Sequence, residues 1–160
     1  MKLDHKIRAA ETQLFARYGL QPEESFVDVD AVNVRLRVLS VGVGPPLVLL
    51  HGVSLAAAVW APWLPSLAGY RALLVELPGH GLSGPVTYRR GAVITAPTMF
   101  CWGTSDPFLG PAQARPSIAK IRGAVLHEVA GGHGPWLEDP AGCAAVTVGH
   151  LTATGFTPAA

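Results

Sequence analysis

An aspartate and a histidine near the C-terminal end are the residues of this 160-residue chain best suited to chemistry. Asp106 stands in Trp102-Gly103-Thr104-Ser105-Asp106-Pro107, directly after an apolar run, and His133 stands in Gly131-Gly132-His133-Gly134. Imidazole titrates near neutrality and suits general-base work, while a carboxylate beside it fixes the tautomer and stabilises the imidazolium. The plainer readings are a turn or helix-cap aspartate and an idle loop histidine. A third segment, His51-Gly52-Val53-Ser54, follows the apolar run Leu47–Leu50. A glycine there lets backbone N–H groups turn toward a developing negative charge.

The surrounding pattern predicts the elements that must carry these loops. Residues 3–18 place Leu3, Ile7, Leu14, Phe15 and Tyr18 near one helical face, and Gly19 and Pro22 end the helix. Phe26, Val27 and Val29, then Val32, Val34, Leu36 and Val38, alternate with polar residues as two half-buried antiparallel strands would. The unbroken run Leu47–Leu50 suits a strand covered on both faces. A helix over 55–67 and a buried strand over 70–77 complete a strand–helix–strand unit, which implies parallel pairing. Further on come a strand over 92–102, a helix over 111–121, a strand over 124–129 and a helix over 140–151. The fold class is α/β: a mostly parallel sheet with flanking helices and an N-terminal antiparallel hairpin. It forms one domain over residues 1–151, followed by a frayed tail at 152–160.

Four segments together resemble the α/β-hydrolase family: Leu49-Leu50-His51-Gly52-Val53-Ser54, Val75-Glu76-Leu77-Pro78-Gly79-His80-Gly81-Leu82-Ser83, the Trp102–Pro107 segment, and Gly131–Gly134 continued through Glu138 and Pro140. The resemblance implies a catalytic triad with Asp106 as the acid and His133 as the base. It implies an oxyanion loop at Gly52, Val53 and Ser54, with the Val53 amide as donor. It also implies hydrolysis of esters or similar acyl compounds, with a small-molecule ester-like substrate and no cofactor. The family's nucleophile elbow, Gly-x-Ser-x-Gly, is absent from the chain. In the family a long block with the nucleophile strand, the elbow and a cap separates the second segment from the third, and here only Gly84 to Ala96 stands between them.

The chain therefore reads as an internally shortened member with its junction near residues 91–94. Without a nucleophile, an acyl-enzyme mechanism has no first step, so weak or no activity is expected. Two alternatives stand beside this reading. One is a non-catalytic binding module. The other uses Ser54 as nucleophile, because Gly52-Val53-Ser54-Leu55-Ala56 follows a strand and precedes Asp106 and His133 in the family's order. A missing strand would also leave Leu47–Leu50 as an open apolar edge. Either the Ala96–Trp102 strand moves in beside it, which is the preferred expectation, or the chain self-associates through that edge.

Composition narrows the partners. A net charge of +1, with no basic run beyond Arg89-Arg90, argues against nucleic acid and against an anionic membrane surface. No apolar stretch reaches the ~20 residues of a membrane helix, and the charged N-terminus lacks the apolar core of a signal peptide. Cys101 and Cys143 are expected as small buried thiols, and a cytoplasmic location fits them. The histidines show no metal-ligand spacing, so no metal is expected. Gly79-His80-Gly81-Leu82-Ser83-Gly84 spells a dinucleotide fingerprint, but Pro78 and Pro85 flank it and no periodic helix follows. Ser83, Ser105 and Ser117 are expected as solvent-facing or capping residues.

Overall fold

The structure, a computed structural model, describes residues 2–52, 55–85, 94 and 96–157, with only the backbone described for Lys2 and Val32. The chain divides into two compact units, Met1–Tyr88 with Pro158–Ala160, and Arg89–Thr157. The junction read near residues 91–94 lies, Ile94 apart, outside the described residues.

In the first unit, helix α1 (Lys2–Ala16) precedes β1 (Glu23–Val29), β2 (Val34–Val41), β3 (Pro46–Leu50) and β4 (Arg71–Val75), in the sheet order β1-β2-β4-β3. β1 and β2 form the antiparallel hairpin that the alternating pattern implies, joined through a 3-10 turn at Asp30–Val32 and Asn33 in the left-handed region. β3 and β4 pair in parallel, with Leu47 opposite Ala72 and Leu49 opposite Leu74. β2 and β4 are antiparallel, so the sheet is mixed. Phe15, Leu39, Leu49, Trp63, Leu67, Tyr70 and Leu74 form the buried apolar core.

Two expectations for this unit give way. The helix over 55–67 is replaced by two short 3-10 turns, Ala57–Trp60 and Leu64–Leu67. Pro62 and Pro65 supply no backbone N–H and crowd the preceding turn, and two such residues three apart disfavour a continuous α-helix across them. The Leu47–Leu50 strand is not covered on both faces. Leu49 is buried, but Val48 is 55% and Leu50 57% exposed, because side chains alternate across the pleat and put Leu49 on one face and Val48 and Leu50 on the other. Of the strand read over 92–102, the described residues 96–98 lie outside it, and the strand at Met99–Gly103 pairs with Val125–Val129 in a two-stranded sheet.

A buried charge cluster ties α1 to the hairpin. The Arg37 guanidinium, on β2, donates to both carboxylate oxygens of Glu11 at 2.9 and 2.6 Å. It also donates to Glu24 and lies 3.4 Å from the Glu76 carboxylate, while Arg8 pairs with Glu24 from the other side. Glu76 is fully buried and accepts the Leu82 N–H at 2.8 Å, so the Gly79–Gly84 turn folds around its carboxylate. Gly81, at φ +51°, lies against that carboxylate with no room for a Cβ. Ser83, expected at the surface, instead bridges two strands: its hydroxyl donates to the Glu76 carbonyl at 2.8 Å and accepts the Arg37 N–H at 2.9 Å.

Burial raises the Glu24 carboxyl, but the hydrogen bonds and charges of Arg8 and Arg37 outweigh it and hold the group below its ordinary value. A depressed folded-state value gives stability that is present above the unfolded value and is lost as pH falls through the folded one. Glu24 is 28% exposed, which limits its share to about 1 kcal/mol or less. Resistance of the native chain to urea is therefore expected to fall as pH drops below about 4.3, and Glu24→Gln should flatten part of that limb. An identical limb in the variant would contradict the role given to Glu24.

The second unit contains β5 (Met99–Gly103), α2 (Pro111–Ile118), β6 (Val125–Val129), α3 (Pro135–Glu138) and α4 (Pro140–Ala153). β5 and β6 are parallel, as a strand–helix–strand connection through α2 requires. Pro111 starts α2 in the first-turn position that tolerates proline, and the Asp139 carboxylate caps α4 by accepting the Gly142 N–H at 2.8 Å. Ala114, Ile118, Val129, Pro135, Cys143 and Ala144 are buried here. Among the described residues, no helix is long and apolar enough to cross a membrane.

Candidate active site

The strand ends of the second unit bring Asp106 and His133 together. The parallel register of β5 and β6 sets Gly103 opposite Val129, so the two following loops leave the same edge side by side. Backbone bonds then zip the loops: Thr104 N–H donates to the Val129 carbonyl and Ser105 N–H to the Gly131 carbonyl, both at 2.9 Å. Gly103 packs so tightly on the Gly131 and Gly132 carbonyls that a Cβ would overlap them. The glycines here are a packing requirement.

His133 Nδ1 lies 2.9 Å from Asp106 Oδ2. The other carboxylate oxygen, Oδ1, accepts the N–H groups of Phe108 at 2.8 Å and Leu109 at 3.1 Å. Burial alone would push the Asp106 carboxyl up. The hydrogen bonds from His133, Phe108 and Leu109, with the His133 charge, outweigh that and hold the group below the usual carboxylate range. An ionised Asp106 accepts, so Nδ1 carries a proton and Nε2 is the ring nitrogen turned away from the carboxylate. The Asp106 side chain is 3% exposed and that of His133 is 47% exposed, so the carboxylate sits behind the ring and the ring opens to solvent. Among the described residues Nε2 has no hydrogen-bond partner. A base oriented from behind and open in front can take a proton from water or from an incoming hydroxyl.

Two neighbours steady the pair. Glu138, in α3, accepts the Gly132 N–H at 2.8 Å and so fixes the backbone one residue before His133. The Phe108 ring meets the imidazole edge-to-face at 5.0 Å between centroids. Phe108 has no signature of its own in the sequence. Glu138 stands where the resemblance expects a glutamate, but its bond to the histidine loop is visible only in three dimensions.

Of the oxyanion candidates, Gly52 is described and Val53 and Ser54 lie outside the described residues. His51, just before them, is 3% exposed. Its Nε2 accepts the Leu77 N–H at 3.0 Å, so Nδ1 bears the proton and donates to the Gly52 carbonyl at 2.8 Å. His51 thus fastens the end of β3 to the segment after β4, a backbone-holding role rather than a proton-transfer one. A cavity of about 280 Å³ in the same unit is lined by Leu20, Val41, Leu64, Leu67 and Tyr70 and includes neither His51 nor Gly52. No grouping of His, Cys, Asp and Glu that could hold a metal ion occurs among the described residues.

The fold has clear counterparts among solved structures. It is similar to the carboxylesterase CesB of Bacillus subtilis, with a TM-score of 0.69 at 11% identity, covering 94% of this chain and 99% of that one. It is also similar to a hydrolase from Pseudomonas aeruginosa, with a TM-score of 0.64 at 13% identity, covering 81% of this chain and 98% of that one. The chain has the α/β-hydrolase fold. No family model matches it.

Among curated proteins, the chain is 50% identical over 61 residues to a pimeloyl-[acyl-carrier protein] methyl ester esterase of Nitrosospira multiformis, covering 37% of this chain and 23% of the relative. It is 37% identical over 95 residues to a protein of the same name from Stenotrophomonas maltophilia, covering 53% of this chain and 36% of the relative. The matches therefore span only 23% and 36% of these relatives' lengths.

Proposed function

We propose that this chain is an ester-hydrolase relative that retains an acid–base pair, Asp106 and His133, and has little or no hydrolytic activity because the attacking serine is missing. The observation that carries the reading is the 2.9 Å contact between His133 Nδ1 and Asp106 Oδ2, with the second carboxylate oxygen held by two backbone N–H groups. This is the arrangement that keeps an imidazole in the tautomer a nucleophile needs. The sequence contains no Gly-x-Ser-x-Gly, so the pair has no elbow serine to activate. Gly52, Val53 and Ser54 take the oxyanion-loop role in this reading. The substrate class is a small acyl ester, in keeping with the names of the methyl ester esterases that the chain resembles. A cytoplasmic setting belongs to the same reading and is supported by two cysteines that are free thiols.

Hydrolysis of activated p-nitrophenyl esters should stay at the residual level left when a triad member is removed, about 10³–10⁴ over water at most. Serine-directed phosphonates should leave the mass of the protein unchanged. Stoichiometric labelling at Ser54, with a burst of chromophore abolished in Ser54→Ala, would replace this reading with that of a hydrolase using a displaced nucleophile.

A further inference from the structure

Cys101 and Cys143 are the only cysteines of the chain, and the fold of the second unit sets them against each other. Cys101 lies in β5 and Cys143 in the first turns of α4, and the Cys101 thiol donates to Cys143 Sγ at 3.5 Å. Both are free; Cys143 is buried and Cys101 is half-buried. Forty-two positions separate them in sequence, so their meeting is a product of the fold. A disulfide requires about 2.04 Å between the sulfurs, which is about 1.5 Å closer than they stand.

We propose that Cys101 and Cys143 are a reversible dithiol–disulfide pair whose oxidation ties β5, the strand leading to Asp106, to α4, the helix that follows α3. The oxidant is of the small-molecule disulfide class, such as oxidised glutathione. The more accessible Cys101, as thiolate, attacks one glutathione sulfur and releases the first glutathione thiol. Cys143, as thiolate, then attacks Cys101 Sγ in the mixed disulfide and releases the second. The two cysteine sulfurs lose two electrons and two protons, and both are recovered in two molecules of reduced glutathione.

Burial, together with the Cys101 thiol and the nearby Asp139 carboxylate, pushes the Cys143 thiol up to about 12. Burial first, then Asp139, raises Cys101 as well, against a lowering hydrogen bond to Cys143. Thiolate is the reactive form, so exchange is slow at neutral pH and quickens on the alkaline side. Juxtaposition acts on the equilibrium instead: two thiols held in contact have a far higher effective concentration than the same pair in an unfolded chain.

The test equilibrates the whole native protein, at mildly alkaline pH, with glutathione redox buffers of graded ratio, followed by alkylation and mass analysis. Both thiols should disappear together, with a mass about 2 Da below that of the reduced chain. The linked peptides should contain Cys101 and Cys143, and the sedimentation of the protein should not change. The half-oxidation point should lie at a buffer at least about tenfold more reducing than for the same chain in urea. Cys143→Ser should stop the reaction at a glutathione adduct on Cys101. Should that variant not fold, the native-against-urea comparison decides alone. Thiols that remain free, stable glutathione adducts on the native chain, intermolecular dimers, or equal half-points in buffer and urea would each overturn the proposal.

Discussion

Replacing Arg37 by methionine is expected to cost about 3–5 kcal/mol, a large share of the roughly 5–15 kcal/mol by which domains are stable. Methionine matches the length of the arginine stem but supplies no donor and no charge. The Glu11 carboxylate would lose both of its hydrogen bonds to the guanidinium, and the fully buried Glu76 would lose its nearest cation. Breaking a buried pair by removing one partner costs more than the pair contributes, because the orphaned carboxylates stay out of water or must take up protons. Lysine in the same place should recover only part of the loss, since it keeps the charge without the planar fork that meets Glu11 with two bonds. Urea denaturation near neutral pH measures both variants. A loss under about 1 kcal/mol for the methionine variant would mean that the cluster is solvated and holds nothing together.

Gly103→Ala is expected to separate Asp106 from His133. An added Cβ would run into the carbonyl oxygens of Gly131 and Gly132, backbone atoms with no flexible end to swing aside. Overlap of this kind costs about 1–3 kcal/mol and is relieved by moving backbone. The histidine loop is the segment that must move, and its bond from Ser105 N–H to the Gly131 carbonyl goes with it. Proton NMR of the wild type should show a downfield Nδ1–H signal from His133 bonded to Asp106. That signal should vanish in Gly103→Ala and persist in Thr104→Ala, which leaves the contact between the loops open. A downfield signal unchanged in Gly103→Ala would show that the two loops are not held by this close approach.

Local pattern carried much of the architecture. The period-two alternation of 26–38 marked the hairpin, and the runs at 47–50 and 124–129 marked strands within a residue or two of β3 and β6. The helix over 55–67 failed because apolar spacing outweighed Pro62 and Pro65, whose missing N–H groups break the turn at two points. Of the strand read over 92–102, residues 96–98 lie outside Met99–Gly103, since apolar content alone does not mark where a strand begins to pair. Ser83 and the Arg37 cluster were not legible at all. Their partners come from α1, β1, β2 and the segment after β4, and no spacing rule connects residues so far apart.

For the candidate site the division is similar. By itself the sequence determined the residue types: an aspartate after an apolar strand, a histidine among glycines, a glycine at the end of β3, and no Gly-x-Ser-x-Gly anywhere in the chain. Those are covalent facts that no packing can alter. Tertiary structure alone decided that β5 and β6 lie in parallel register, that Gly103 admits the histidine loop, and that the carboxylate reaches Nδ1 at 2.9 Å. It also decided that Cys101 meets Cys143 and that β3 ends its sheet with Val48 and Leu50 facing outward. The physical reason is that hydrogen bonds and close packing act over a few ångströms, and only the folded chain brings positions remote in sequence within that range.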